Sequence, residues 1–138
     1  KTLAYLNADV IGQVWEKEFF VNMNKRRAIT LPEEAVNKID FSNFITPSLA
    51  EDSPDLYETV KNCGRYLGIT LFLRKSAGNF GGSDHISFAR KKIPWVSMTS
   101  GGSRHSHQPS DSIDKIDFEM IRKVAQLLYT IAFTVSDR

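Results

Sequence analysis

The segment IPWVSM (residues 93–98) is followed by the polar stretch TSGGSRHSHQPSDSID (99–114) and then by DFEMIRKVAQLLYTIAFTV (117–135). The first segment has the length and apolar character of a buried strand, and the last repeats its apolar residues at helical spacing. The helix is predicted to carry one apolar stripe made of Phe118, Ile121, Val124, Ala125, Leu128, Ile131, Ala132 and Val135. A strand, a long loop and a helix in this order indicate one unit of an α/β fold.

The rest of the chain alternates in the same way. Ser53, as a cap, and Pro54 are typical of a helix start, and Gly68 is typical of its end. Further strands are predicted over residues 2–6, 18–23 and 69–73, and short helices over residues 33–39 and 85–91. This order predicts a layered α/β domain with a largely parallel sheet flanked by helices, and residues 1–138 contain no linker that would divide it.

Composition excludes several classes of protein. The 18 basic and 16 acidic residues leave a formal charge of only +2, which does not favour a nucleic-acid partner. No apolar run reaches the roughly 18 residues that a membrane span needs. Cys63 is the single cysteine, so no internal disulfide is possible, and its place among helical apolar residues indicates a small core residue.

Polar side chains follow three predicted elements at places where open α/β sheets bind ligands. Asp9 follows the first strand, Asp84 and His85 follow the strand over residues 69–73, and three polar side chains follow residues 93–98: His105, His107 and Asp111. Carboxylates and imidazoles gathered at one sheet edge suit a metal such as zinc. Each group also has a purely local interpretation, as a turn cap, a helix cap or an ordinary turn.

Two other kinds of site have little support. The glycine-rich residues 78–83 lack the Gly-Lys-Ser or Gly-Lys-Thr of a phosphate-binding loop. The chain also contains no Gly-x-Ser-x-Gly, so a serine hydrolase elbow is not indicated.

Three segments, in order, resemble the zinc exopeptidases of the bacterial leucyl aminopeptidase and glutamate carboxypeptidase-like type, which are related to glutaminyl cyclases. NADVIG (residues 7–12) resembles their Asn-x-Asp-Met-Ile-Gly segment, and GSDHISF (82–88) resembles their Ser-Asp-His-x-x-Phe segment. HQPSDSID (107–114) is similar to their closing His-x-Pro-x-Asp-x-x-Asp motif. The resemblance covers nearly all of this chain but only about the second half of the family's catalytic domain.

The resemblance implies a peptidase with two zinc ions that activate a water molecule, and a peptide as substrate. Asp9 would be a ligand of one zinc and His107 a ligand of the other. Asp84 and His85 would lie either directly behind the metal ligands or on the substrate side, Asp111 would steady the His107 loop, and His105 has no assigned role.

The family's first His-x-Asp ligands, its bridging aspartate and its Glu-Glu pair have no counterpart here. Glu33-Glu34 follows Asp9, which is the wrong order, so no catalytic general base is assigned. We therefore expect a C-terminal portion that binds zinc weakly, is inactive alone, and either forms homodimers or associates with the missing half. Secretion or a periplasmic location is expected from the resemblance only. The alternatives are a non-catalytic binding or assembly domain and a glutaminyl cyclase-like acyl transferase.

Overall fold

The structure, a computed structural model, describes residues 3–78 and 83–137. Its strands are β1 (Tyr5–Ala8), β2 (Phe44–Ile45), β3 (Ser48–Ala50), β4 (Thr70–Leu71), β5 (Arg74–Ser76) and β6 (Trp95–Met98). Its α-helices are α1 (Lys17–Arg26), α2 (Glu33–Asn37), α3 (Pro54–Tyr66), α4 (His85–Ala89) and α5 (Phe118–Ser136), with 3-10 turns at Phe41–Asn43 and Ile113–Lys115. None of the helices described is long and apolar enough to cross a membrane.

The main sheet has the strand order β1-β6-β3-β5, and β2 and β4 form a separate pair. The pairs β1–β6, β3–β5 and β2–β4 are parallel, and only β3–β6 is antiparallel among the described strands. The predicted α/β class with a largely parallel sheet flanked by helices is therefore confirmed. The prediction that residues 1–138 form one domain stays a prediction.

Strand β6 lies inside the sheet, and all four of its residues, Trp95–Met98, are buried. Its parallel neighbour β1 is in a register that places Ala8 opposite Met98, so the two strands end at the same level. Residues that follow these two strands therefore emerge side by side at the carboxyl edge of the sheet.

Helix α5 begins where the sequence predicts, with the Asp117 carboxylate accepting a 2.8 Å hydrogen bond from the Met120 amide. The predicted apolar stripe is wrong in part, because Phe118 is 70% exposed and Ala125 and Ala132 are also exposed. The buried positions on this helix are Met120, Val124, Leu127 and Ile131, of which Val124 and Ile131 belong to the predicted stripe and Met120 and Leu127 do not. The helix is thus rotated about its axis relative to the prediction.

The predicted second strand, over residues 18–23, is wrong, because these residues lie in helix α1. Phe20 and Asn24 are buried one helical turn apart, and Asn24 Nδ2 donates a 2.8 Å hydrogen bond to the Phe20 carbonyl oxygen. The Phe20 ring contacts the rings of four aromatic residues at centroid distances of 5.2 to 5.9 Å: Trp15, Phe41, Phe44 and Phe72. These rings, one of which lies on β2, form a local aromatic core, and packing against it stabilises the helix.

The remaining differences concern short elements. The strand predicted over residues 69–73 is split into β4 and β5, and β2 and β3 were not predicted. Ser53 precedes α3 but makes no capping hydrogen bond with its side chain. The helices predicted over residues 33–39 and 85–91 are present as α2 and α4, and Cys63 is buried as predicted.

Candidate functional site

The loop that follows β1 and the loop that follows β6 are joined by backbone contacts. The Asp9 amide donates to the Met98 carbonyl oxygen at 3.1 Å, and the Ser100 amide donates to the Val10 carbonyl oxygen at 3.2 Å. Gly101 lies so close to the β1 loop that a Cβ there would be 1.9 Å from a backbone oxygen of Gln13. Only glycine permits this approach, which packs the two loops directly against each other.

Asp9 stands at the end of β1 with its carboxylate exposed to solvent. Its oxygens accept no hydrogen bond from any residue in the two described ranges, so the group is available to a ligand. The next residue, Val10, has φ of +55°, a conformation that costs a β-branched residue free energy. The chain therefore turns sharply directly after the predicted zinc ligand.

His107 lies in a turn of the loop that follows β6 and is also exposed. Its φ is +63°, and its ring makes no hydrogen bond within the part of the chain that the structure describes. His105 differs, because its Nδ1 is 2.9 Å from Ser110 Oγ. Of the two imidazoles on this loop, His107 is the one with both nitrogens available to a metal.

Asp111 connects the His107 loop to the β1 loop. Gln13 Nε2 donates a 2.9 Å hydrogen bond to Asp111 Oδ1, and Gln13 Oε1 accepts a 3.4 Å hydrogen bond from Ser106 Oγ. The sequence prediction missed Gln13, which lies one residue after the NADVIG segment and has no local pattern that marks it. Its role depends on contacts with residues more than 90 positions away.

A buried amide ties the start of α4 to the sheet. Asn7 on β1 is 6% exposed, and its Nδ2 donates to Ser83 Oγ at 2.7 Å and to Ser97 Oγ at 3.2 Å. Ser83 immediately precedes Asp84 and His85, so this bond holds the chain directly before both residues against β1. Asn7 was not predicted as a site residue, although a buried asparagine inside a strand is itself a signal.

Asp84 and His85 lie in different surroundings. Asp84 is exposed at the start of α4 and makes no capping hydrogen bond with its side chain. His85 is 7% exposed, and its ring packs on Trp95 with 4.4 Å between ring centroids. The assignment of both residues to the substrate side stays a prediction.

A cleft of about 730 Å³ lies between the joined loops and the start of α5, and its walls include Gln13, Glu16, His105 and Asp114. The Lys115 ammonium, 2.8 Å from Asp114 Oδ2, and the Ser112 hydroxyl lower the pKa of Asp114 to about 2. This carboxylate is therefore already paired, unlike that of Asp9.

The available donors fit zinc in kind but not in number. Carboxylate and imidazole are ordinary zinc ligands, and structural or catalytic sites use three or four of them from the protein. No three histidine, cysteine, aspartate or glutamate side chains are grouped to hold a metal ion in residues 3–78 and 83–137. Asp9 and His107 can supply part of a metal site, and the prediction that they are zinc ligands stays a prediction.

The structure is thus a layered α/β domain with a largely parallel sheet, and an unpaired carboxylate and an unpaired imidazole lie on joined loops at the carboxyl edge of that sheet. A sequence model of Peptidase family M28 matches residues 1–132, and the chain belongs to this family of metallopeptidases. Comparisons with curated proteins and with solved structures gave no match. The predicted zinc exopeptidase family is thus confirmed, and M28 peptidases are generally zinc-dependent.

Proposed function

We propose that this chain contributes Asp9 and His107, one to each of two zinc ions, to the catalytic centre of an aminopeptidase-type M28 peptidase. The observation that carries the proposal is that both side chains are unpaired while the loops that bear them are joined through the Met98–Asp9 and Val10–Ser100 hydrogen bonds. When bound, zinc supplies Lewis-acid activation of water and of the scissile carbonyl.

The residues around these two have positioning roles in this proposal. The bond between Gln13 and Asp111 holds the His107 loop against the β1 loop. The bond between Asn7 and Ser83 holds the start of α4 against β1, where the exposed Asp84 would face a bound peptide and the buried His85, packed on Trp95, would support it. Held in this way, the ligands and the substrate-side residues require little rearrangement when substrate arrives.

The bridging carboxylate and the general-base glutamate would come from outside these 138 residues. Glu33 and Glu34, the only adjacent glutamates, are exposed in the first turn of α2, where negative charge is favourable near the helix N-terminus. The chain alone is therefore expected to be inactive and to bind zinc weakly. The peptide amino terminus as the substrate end, and secretion or a periplasmic location, belong to the same proposal.

The proposal is tested by zinc competition against a chromophoric chelator, with the 138-residue protein and single variants. His107→Ala and Asp9→Ala should each weaken zinc binding several-fold, because each removes one of the few donors. His105→Ala is the matched control, since His105 is on the same loop but is bonded to Ser110. Zinc binding that is insensitive to both variants contradicts the proposal.

A peptidase assay completes the test. No hydrolysis of an aminoacyl-p-nitroanilide is expected with zinc present. Hydrolysis that His107→Ala abolishes would show instead that the chain contains a whole active centre. Since no group of three ligands is present in the described ranges, the second candidate is a non-catalytic assembly domain of the same fold. Absence of any zinc binding favours that candidate.

A further inference from the structure

Helix α5 has an apolar side that faces away from the sheet. Phe118, Tyr129 and Phe133 are 70%, 72% and 61% exposed. The α5 outer face consists of Phe118, Arg122, Ala125, Tyr129, Ala132 and Phe133, all exposed. Most of these follow one another at spacings of four and three residues, which is the spacing of a two-helix seam. None of these three rings belongs to either of the hydrophobic clusters of the described residues.

The charge pattern of α5 is unusual for an outer face. The 13 residues from Val124 to Ser136 include no charged residue, whereas 25% of the whole chain is charged. A solvated helical segment of 13 residues with the average composition of this chain would contain about three charged residues. Arg122 precedes the uncharged stretch and Asp137 follows it.

The placement of these two charges is self-complementary. Asp137 is the residue at the C-terminal end of α5, where a carboxylate is unfavourable beside the negative end of the helix dipole. In the described residues its side chain has no cationic partner. If two α5 helices pair antiparallel about a two-fold axis near Tyr129, Arg122 of each copy lies opposite Asp137 of the other.

The same arrangement suits the apolar residues. With the axis near Tyr129, Phe133 of one copy lies opposite Ala125 and Gln126 of the other, and the small alanine leaves room for the ring. The exposed parts of the Tyr129 and Phe133 rings, which lie within the overlap of the two helices, amount to on the order of 300 Å² per copy, about a third of a standard interface side. An interface of this size is expected to be weak and concentration-dependent.

We propose that the α5 outer face is a homodimer surface, on which a second copy of this chain packs its own α5 antiparallel, with reciprocal Arg122–Asp137 ion pairs. Arg122 makes hydrogen bonds with Glu119 and Gln126 in one copy, at 2.7 and 2.8 Å. These contacts are fully at the surface and exchange readily for an intermolecular pair. The dimer does not depend on the proposed zinc chemistry.

The test is sedimentation equilibrium of the 138-residue protein from about 10 μM to about 1 mM, a range that brackets a weak dimer. The apparent mass should rise from 15.6 kDa towards twice that value. Tyr129→Lys should weaken association at least tenfold. Ile113→Lys is the matched control, because Ile113 is 77% exposed but lies outside α5, and this variant should associate like the parent.

Charge exchange tests the antiparallel register. Arg122→Asp and Asp137→Arg should each weaken the dimer, and the double variant should restore it, with circular dichroism showing unchanged helix content. A mass of one copy throughout the range overturns the proposal and indicates that another part of a longer polypeptide covers this face. Association that survives Tyr129→Lys, or a double variant that fails to restore it, also overturns the proposal.

Discussion

Gln13 Nε2 donates a 2.9 Å hydrogen bond to Asp111 Oδ1, and this bond joins the loop that bears Asp9 to the loop that bears His107. The two residues are 98 positions apart in the chain. The bond is exposed to solvent, so its contribution to global stability is small, and its main effect is to restrict the β6 loop.

Gln13→Met tests this restriction, because methionine keeps the length of the side chain but removes both polar groups. Amide hydrogen exchange over residues 103–111 should speed up about two- to tenfold, the range expected for the loss of one hydrogen bond. Gln108→Met, an exposed change on the same loop, is the control. Equal exchange in the two variants would show that the bond does not order the loop.

Asn7→Leu removes the buried amide that binds Ser83 and Ser97. Both hydroxyls lose a partner, so the free energy of unfolding should fall by about 1–3 kcal/mol. Urea denaturation measures this difference, with Asn62→Leu at an exposed position of α3 as the control. If the two variants are equally stable, the Asn7 amide does not anchor the start of α4.

Leu127→Ala tests the rotation of α5, because Leu127 lies outside the stripe predicted from the sequence. Leu127 is fully buried, so the substitution should cost about 2–5 kcal/mol of unfolding free energy. Phe118→Ala, although it removes a larger side chain, should cost less than about 1 kcal/mol, since Phe118 is 70% exposed. Thermal unfolding of both variants measures these losses. A larger loss for Phe118→Ala would support the apolar stripe predicted from the sequence.

Helix caps offer a matched pair. Asp117→Ala should cost about 0.5–2 kcal/mol, because its carboxylate accepts the Met120 amide hydrogen bond. Ser53→Ala should cost much less, because Ser53 makes no such bond at the start of α3. Denaturant unfolding compares the two variants, and a larger loss for Ser53→Ala would contradict the cap assignments.

Local sequence signals were sufficient to predict that α3 and α5 exist, because capping residues, glycine stops and helical spacing lie within each helical segment. They were not sufficient for the rotation of α5, since its second half is apolar on nearly every side and only its packing against α3 and β1 selects Leu127 for burial. They also failed for α1, where the run Phe19-Phe20-Val21 favours a strand until Phe41, Phe44 and Phe72 surround Phe20.

The residues of the candidate site also fall into two groups, those marked by a local sequence pattern and those without one. Strand ends and motif resemblance predicted Asp9, His107 and Asp111 because each follows a recognisable segment. Asn7 and Gln13 were missed because their partners lie 76 and 98 residues away. Such contacts are set by the packing of β1 against β6, which no local pattern encodes.

The central claim is that Asp9 and His107 are the zinc-binding residues of this chain. Two-dimensional ¹H–¹⁵N NMR during a zinc titration tests it most directly, because the method locates weak binding residue by residue. The account predicts shifts confined to the amides around Asp9 and around His107, and their loss in His107→Ala but not in His105→Ala. Shifts centred on His85 or His105, or shifts that persist in His107→Ala, would contradict it.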